Sequence, residues 1–171
     1  MNDRQPPHRT SRPKIEAISA EQAAGFGLLR RGQVESDRLP DDRGRRLNEG
    51  PMGQRCGLNA ALARRAVTQI GDVWVVPGNG YLALVVAGGA GCTETGFVVE
   101  KGTMTWTSHD GQGIVHGLVA DGVTEVTLVD SRNAAASVLV RDNVYGARLA
   151  APFQALQFNG PAGRVELGPY G

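Results

Sequence analysis

From residue 72 onward the chain is a succession of short apolar runs cut by turn signals, and this feature most restricts what it can fold into. The runs are DVWVVPG, GYLALVVAGG, TGFVVE, KGTMTWTS, GIVHGLVA, TEVTLVD, ASVLVRD, NVYGAR, FQALQFNG and RVEL. That makes about ten strand candidates in one hundred residues, with PGNG, EKG, HDG and ADG between them as Gly- and Asp-based turns. No helical stretch separates consecutive runs, so parallel βαβ units are excluded. The pattern predicts a mainly β protein: an antiparallel β-sandwich or barrel-like sheet with one or two N-terminal helices. Aromatic residues are only 5% of the chain, so its core must rest on Val, Leu and Ala.

The first seventy residues have a different texture. Residues 1–17 hold three prolines and several charges without apolar periodicity, and are expected to be a disordered basic arm. Residues 18–31, ISAEQAAGFGLLRR, read as a helix in which Ser19 and Gln22 form a capping box, although Gly25 and Gly27 weaken it. Residues 32–55 read as a long charged loop holding one short helical turn. Residues 57–71, GLNAALARRAVTQIG, read as a second helix capped by Asn59 and stopped by Gly71. Leu58, Leu62, Ala66 and Ile70 would form its packing stripe, with Arg64, Arg65 and Gln69 toward solvent. The organisation predicted is therefore an arm (1–17), a helical segment with a long loop (18–71) and an antiparallel β domain (72–171).

The net charge is +1, but unevenly placed: residues 1–70 carry 13 basic and 8 acidic side chains, residues 71–171 carry 5 and 9. Arginine pairs at 30–31, 45–46 and 64–65 raise the question of nucleic acid. Acids at 35, 37, 41 and 42 dilute any patch and no aromatic platform is interleaved, so nucleic acid is not the expected partner. No apolar run reaches the ~18 residues of a transmembrane helix. The N-terminus shows no signal-peptide h-region, so the chain as written is expected in the cytoplasm. A start codon called too far downstream would leave the same appearance on a secreted or cell-envelope protein.

The stretch GIVHGLVADGVTEVTLVD, residues 113–130, sets His116 and Asp121 in apolar surroundings. By strand alternation Val115, Gly117 and Val119 share one face, and His116 and Leu118 the other. Asp121 and Gly122 make a turn, and Val126 and Leu128 then point one way while Glu125 and Thr127 point the other. Asp121 is thereby explained as a turn residue, and His116 remains as a polar residue in an apolar strand. His116 is a weak candidate for a ligand site, because a general base needs a partner within hydrogen-bond reach. His109, in the SHDG turn, is a second weak candidate; three adjacent residues cannot converge as a triad. His8 lies in the arm.

No nucleophile elbow, HExxH, P-loop or CxxC is present. GNGYLA, residues 78–83, meets the loose form GxGxxA, but a strand follows it where a dinucleotide site needs a helix N-terminus. It reads as a hairpin turn. Accordingly no catalytic residue, cofactor or metal site is predicted. The two cysteines, Cys56 and Cys92, have two readings. If the helical segment packs on the sheet, a disulfide could join them and would imply an oxidising compartment; otherwise they are two unrelated buried thiols.

The order GLLRRGQVESDRLP, LNAALARRAV, VWVVPGNGYLALVV, GLVADGVTEVTLVD and VRDNVY resembles a set of uncharacterised actinobacterial proteins. In these an LLRR…LP segment precedes an N.ALAR helix, a W.VPG strand, a G.V.DGV..V.L element and a V..N.Y strand. The similarity spans residues 28–147. It implies a β-rich domain with no known activity, in a group whose members often look exported, and it tilts the cysteines toward the bonded reading. The function expected is a non-catalytic interaction or envelope-associated accessory protein with a protein partner. The alternatives are a small-ligand binder or enzyme with a pocket near His116, and a cytoplasmic regulator docking through the basic N-terminal part.

Overall fold

The computed structural model describes residues 11–169. The fold is mainly β with three antiparallel sheets and N-terminal helices, as the run pattern predicts. The chain opens with four short helices, α1 (Ala20–Gly25), α2 (Gly27–Arg30), α3 (Asp41–Glu49) and α4 (Pro51–Cys56). The first sheet, β1 (Arg64–Thr68), β2 (Gly71–Pro77), β3 (Tyr81–Val86) and β4 (Gly89–Glu94), is a simple meander. Helix α5 (Thr95–Lys101) leads to β5 (Thr103–His109) and β6 (Gln112–Leu118), which with β9 (Val144–Leu149) form a three-stranded sheet ordered β5-β6-β9. The third sheet, ordered β11-β10-β7-β8, is built from β7 (Glu125–Asp130), β8 (Ala135–Leu139), β10 (Phe153–Gly160) and β11 (Gly163–Leu167).

Three cores result. The first lies between the meander and the β5-β6-β9 sheet, where Phe26 and Leu28 of the helical segment join Val73, Val75, Leu82, Leu84 and Leu118. On the opposite face of the meander α3 and α4 cover Leu58, Val76, Ala83 and Val85. This double coverage explains why YLALVV is apolar throughout and buried at every position after Tyr81. The third core lies between the β5-β6-β9 sheet and the last sheet, around Val115, Leu128, Tyr145, Leu156 and Phe158. Val115 and Val119 fall in the third core and Leu118 in the first, the alternation expected of that strand. Gly117 is a close-approach position, because a Cβ there would overlap the ring of the fully buried Tyr145.

Several local expectations are corrected. The helix expected over 57–71 is a 3-10 turn (Ala60–Leu62) followed by β1. Asn59 does cap, accepting from the Ala61 N–H at 3.0 Å, but Val67 and Thr68 then pair with Asp72 and Gly71 across a tight turn. Alanine-rich spacing favours helix only weakly, and the ladder to β2 overrides it. Arg64, expected outward, is buried and Val67 is exposed. TGFVVE, expected as a strand, is α5: Val98 packs into the first core and Gly102 leaves the helix at φ 69°. The run pattern does not predict strands β1 and β4. The expected loop at 32–55 carries α3 and α4, started after Pro40 and at Pro51 and anchored by Leu47 and Cys56, too few apolar residues to show a period. The helix at 18–31 keeps its Ser19–Gln22 capping box but breaks at Phe26, between the two glycines, into α1 and α2. Residues 11–17 are extended along α4 rather than a free arm, with the Arg12 N–H donating to Gln54 O at 2.9 Å and Ile15 O accepting from Asn59 Nδ2 at 2.9 Å; the rest of the expected arm, with His8, lies outside the described residues.

Polar side chains fasten the helical segment to the sheets. Asp37, with no exposed surface, accepts both guanidinium nitrogens of Arg31 at 2.6 and 2.7 Å, the Val34 N–H at 2.8 Å and the Arg65 N–H at 2.7 Å. Burial works against its charge, but these four donors outweigh it and hold the carboxyl at about 2. Buried Arg64 donates to the carbonyls of Arg31, Leu62 and Ala63. Gln22, also buried, donates through Nε2 to Gly78 O and Tyr81 O, both at 2.9 Å, across the β2–β3 turn. Asp121 accepts the Gly27 N–H at 2.7 Å and the Asn143 amide at 2.9 Å, and pairs with Arg30 at 2.7 Å. It is more than a turn residue, for it caps α2 from ninety-four residues away.

Candidate functional site

Antiparallel register places His116 opposite Thr105 on β5 and Gly146 on β9, and Ile114 opposite Thr107 and Arg148. Directly opposed residues share a sheet face, so Thr105, His116, Thr107, Ile114 and Arg148 form one patch, on the side that faces the meander. Two hairpin turns of the meander stand over this patch. Ile70 and Gly71 come from the β1–β2 turn, and Ala87 and Gly88 from the β3–β4 turn. Floor and turns enclose a cavity of about 270 Å³, which also touches Asp72 and Val86. Glycine is required at 146 for this arrangement, since a Cβ there would press on the Thr68 side chain and on the His116 ring.

His116 is 9% exposed, and its ring has no hydrogen-bond partner among the described residues. Burial, and secondarily the positive charge of Arg148, push its pKa below the ordinary value of 6.5, so the imidazole is neutral at pH 7. Asp72 does not face it as a free carboxylate: both its oxygens bond Arg65 Nη2 at 2.8 Å. Arg148 is exposed and carries no ion pair among the described residues. The cleft therefore offers a neutral imidazole, an uncompensated guanidinium and two threonines on an otherwise apolar floor. Proton transfer at this imidazole would need an orienting partner within hydrogen-bond reach.

His109 is not part of this site. It lies at the far end of the β5–β6 ladder, opposite Gln112, largely exposed and 3.2 Å from Asp110. Asp110 and Gly111 both take positive φ, 50° and 75°, which bears out the turn reading of SHDG. GNGYLA is likewise the β2–β3 hairpin connection. Among the described residues no group of three His, Cys, Asp or Glu side chains could hold a metal. No helix among the described residues is long and apolar enough to cross a membrane.

Two further features bear on function. Cys56, the last residue of α4, is bonded to Cys92 of β4, with Cα atoms 6.8 Å apart. A second, more open hollow of about 560 Å³ is lined by Phe97, Met104, Trp106 and Leu167, with Glu94 at its edge. Phe97 is 44% exposed there, an unusual position for a large aromatic. The paired arginines of the sequence are largely engaged: Arg30 with Asp121, Arg31 with Asp37, Arg45 with Asp42 and Arg65 with Asp72. No protein family, curated protein or solved structure matches the chain.

Proposed function

We propose that this chain is a non-catalytic binding module that works in an oxidising compartment, at the cell envelope or outside the cell. The Cys56–Cys92 disulfide carries this reading. Disulfides form and persist where thiols are not continuously reduced, and are rare in the cytosol. The resemblance to proteins that often look exported points the same way. A binding role is supported by His116, a cleft histidine without the partner that acid–base chemistry needs, and by the exposed Phe97 hollow, which offers an apolar contact surface for a protein. The decisive experiment is thiol trapping of the protein from its native host, read by intact mass. A bonded pair in the envelope or external fraction is expected, and two free thiols in the native host would overturn the assignment. A photo-crosslinking residue at Phe97 should give a discrete adduct in the same fraction; its absence would remove the hollow as the contact surface.

A further inference from the structure

We propose that the cleft between the β5-β6-β9 sheet and the two meander turns is a binding site for a small organic carboxylate, its charge held by Arg148 and His116 and its apolar body lying on Ile114 and Val86. This deepens the binding-module reading and rests on it. The site is confined: at about 270 Å³ it lies just below the usual lower end of small-molecule pockets, near 300 Å³. A macromolecular segment is too large for it, and a ligand of one ring with one charged group is of the right order.

The chemistry of the walls selects the class. The Arg65–Asp72 pair satisfies its own charge, which leaves Arg148 as the net charge at the cleft, and an anion is its natural complement. A guanidinium presents paired N–H donors in a plane, matching the two oxygens of a carboxylate. His116 adds a neutral N–H donor or a nitrogen acceptor beside it, and Thr105 and Thr107 add hydroxyls on the same face. Ile70, Val86 and Ile114 provide apolar contact for the remainder of the ligand. A cation would meet Arg148 with no free carboxylate to offset it, and a wholly neutral ligand would leave the guanidinium without a partner.

The test uses the full-length protein with its disulfide intact, and benzoate as the probe. The imidazole ring-proton resonances of His116, assigned by their loss in His116→Gln, are followed by NMR during titration. Benzoate is expected to shift them saturably below about 10 mM, leaving those of His109 in place. Benzamide, the neutral analogue, is expected to bind at least about tenfold more weakly, and Arg148→Gln to lower benzoate affinity by at least about tenfold, the loss of one charge-assisted hydrogen bond. Arg148 is exposed, so its replacement leaves the core intact. An unmoved His116, an unchanged affinity in Arg148→Gln, or benzamide binding as tightly as benzoate would each overturn the proposal. These outcomes are separate from thiol trapping: free thiols remove the compartment and leave the titration standing, and a blank titration removes the carboxylate and leaves the disulfide.

Discussion

Replacing Asp37 by Ala tests whether one buried carboxylate holds the helical segment to the first sheet. The substitution removes the acceptor of both Arg31 bonds and of the Val34 and Arg65 N–H groups, and leaves the Arg31 charge without its partner close to the buried Arg64. Breaking a fully buried pair from one side costs about 3–5 kcal/mol. The Arg31 side chain is 35% exposed and keeps part of its solvation, so the loss expected lies near the lower end, about 3 kcal/mol, still a large part of the roughly 5–15 kcal/mol that stabilises a domain. The acid dependence gives a second, smaller figure. Asp37 titrates at about 2 in the folded protein against an ordinary 3.8. Its stabilisation is therefore complete above 3.8, declines as pH falls toward 2, and is gone below. At about 1.36 kcal/mol per unit of displacement this amounts to about 2 kcal/mol. The deletion should exceed it, because a protonated carboxyl still fills the site and accepts hydrogen bonds. Urea unfolding followed by the fluorescence of Trp74 and Trp106 measures both, and Asp37→Asn should lose this component of the acid sensitivity while keeping the shape of the site. A loss in Asp37→Ala below about 1 kcal/mol, or an Asp37→Asn protein with the wild-type slope across the acid window, would refute the assignment.

Reduction of Cys56–Cys92, which closes a separation of 36 residues, is expected to lower stability by about 4 kcal/mol in denaturant titrations with and without reductant. Asn143→Ala removes the acceptor of the Leu28 N–H and the donor to Val119 O and Asp121, at a residue with φ 66°. It should cost about 2–3 kcal/mol, with faster amide exchange at Leu28 as its local signature. Gly117→Val forces a side chain into the ring of Tyr145, and a loss of more than about 3 kcal/mol, or failure to fold, is expected in thermal unfolding; a wild-type melting temperature would show that the ring has room to move.

The candidate site was half legible in the sequence. His116 stands out because it is polar in an apolar strand, and alternation assigns it to the face shared with Leu118. Arg148 carried no comparable signal: it is the penultimate residue of the short strand β9, thirty-two residues later, and only the β6–β9 register brings it to the row beside His116. The walls were less legible still, since Ile70 belongs to a segment that reads as helix and Ala87 to a simple turn. Asp121 shows the same limit in another form. Its turn explains it locally, yet it also bonds Gly27 and Arg30, more than ninety residues earlier in the chain.

What the sequence determined by itself was what short-range physics controls: period-two alternation in β7, the turn chemistry of Asp110-Gly111 and PGNG, the Ser19–Gln22 capping box and the antiparallel class that follows from closely spaced runs. Tertiary structure decided the rest. Residues 64–68 became a strand because β2 supplied a ladder that their weak helical preference could not match, and residues 95–101 became a helix because Val98 had a core to enter. Propensity differences amount to less than about 1 kcal/mol per residue. A hydrogen-bonded partner or a buried apolar surface outweighs them, and which partner a segment meets depends on contacts too distant along the sequence for local pattern to record.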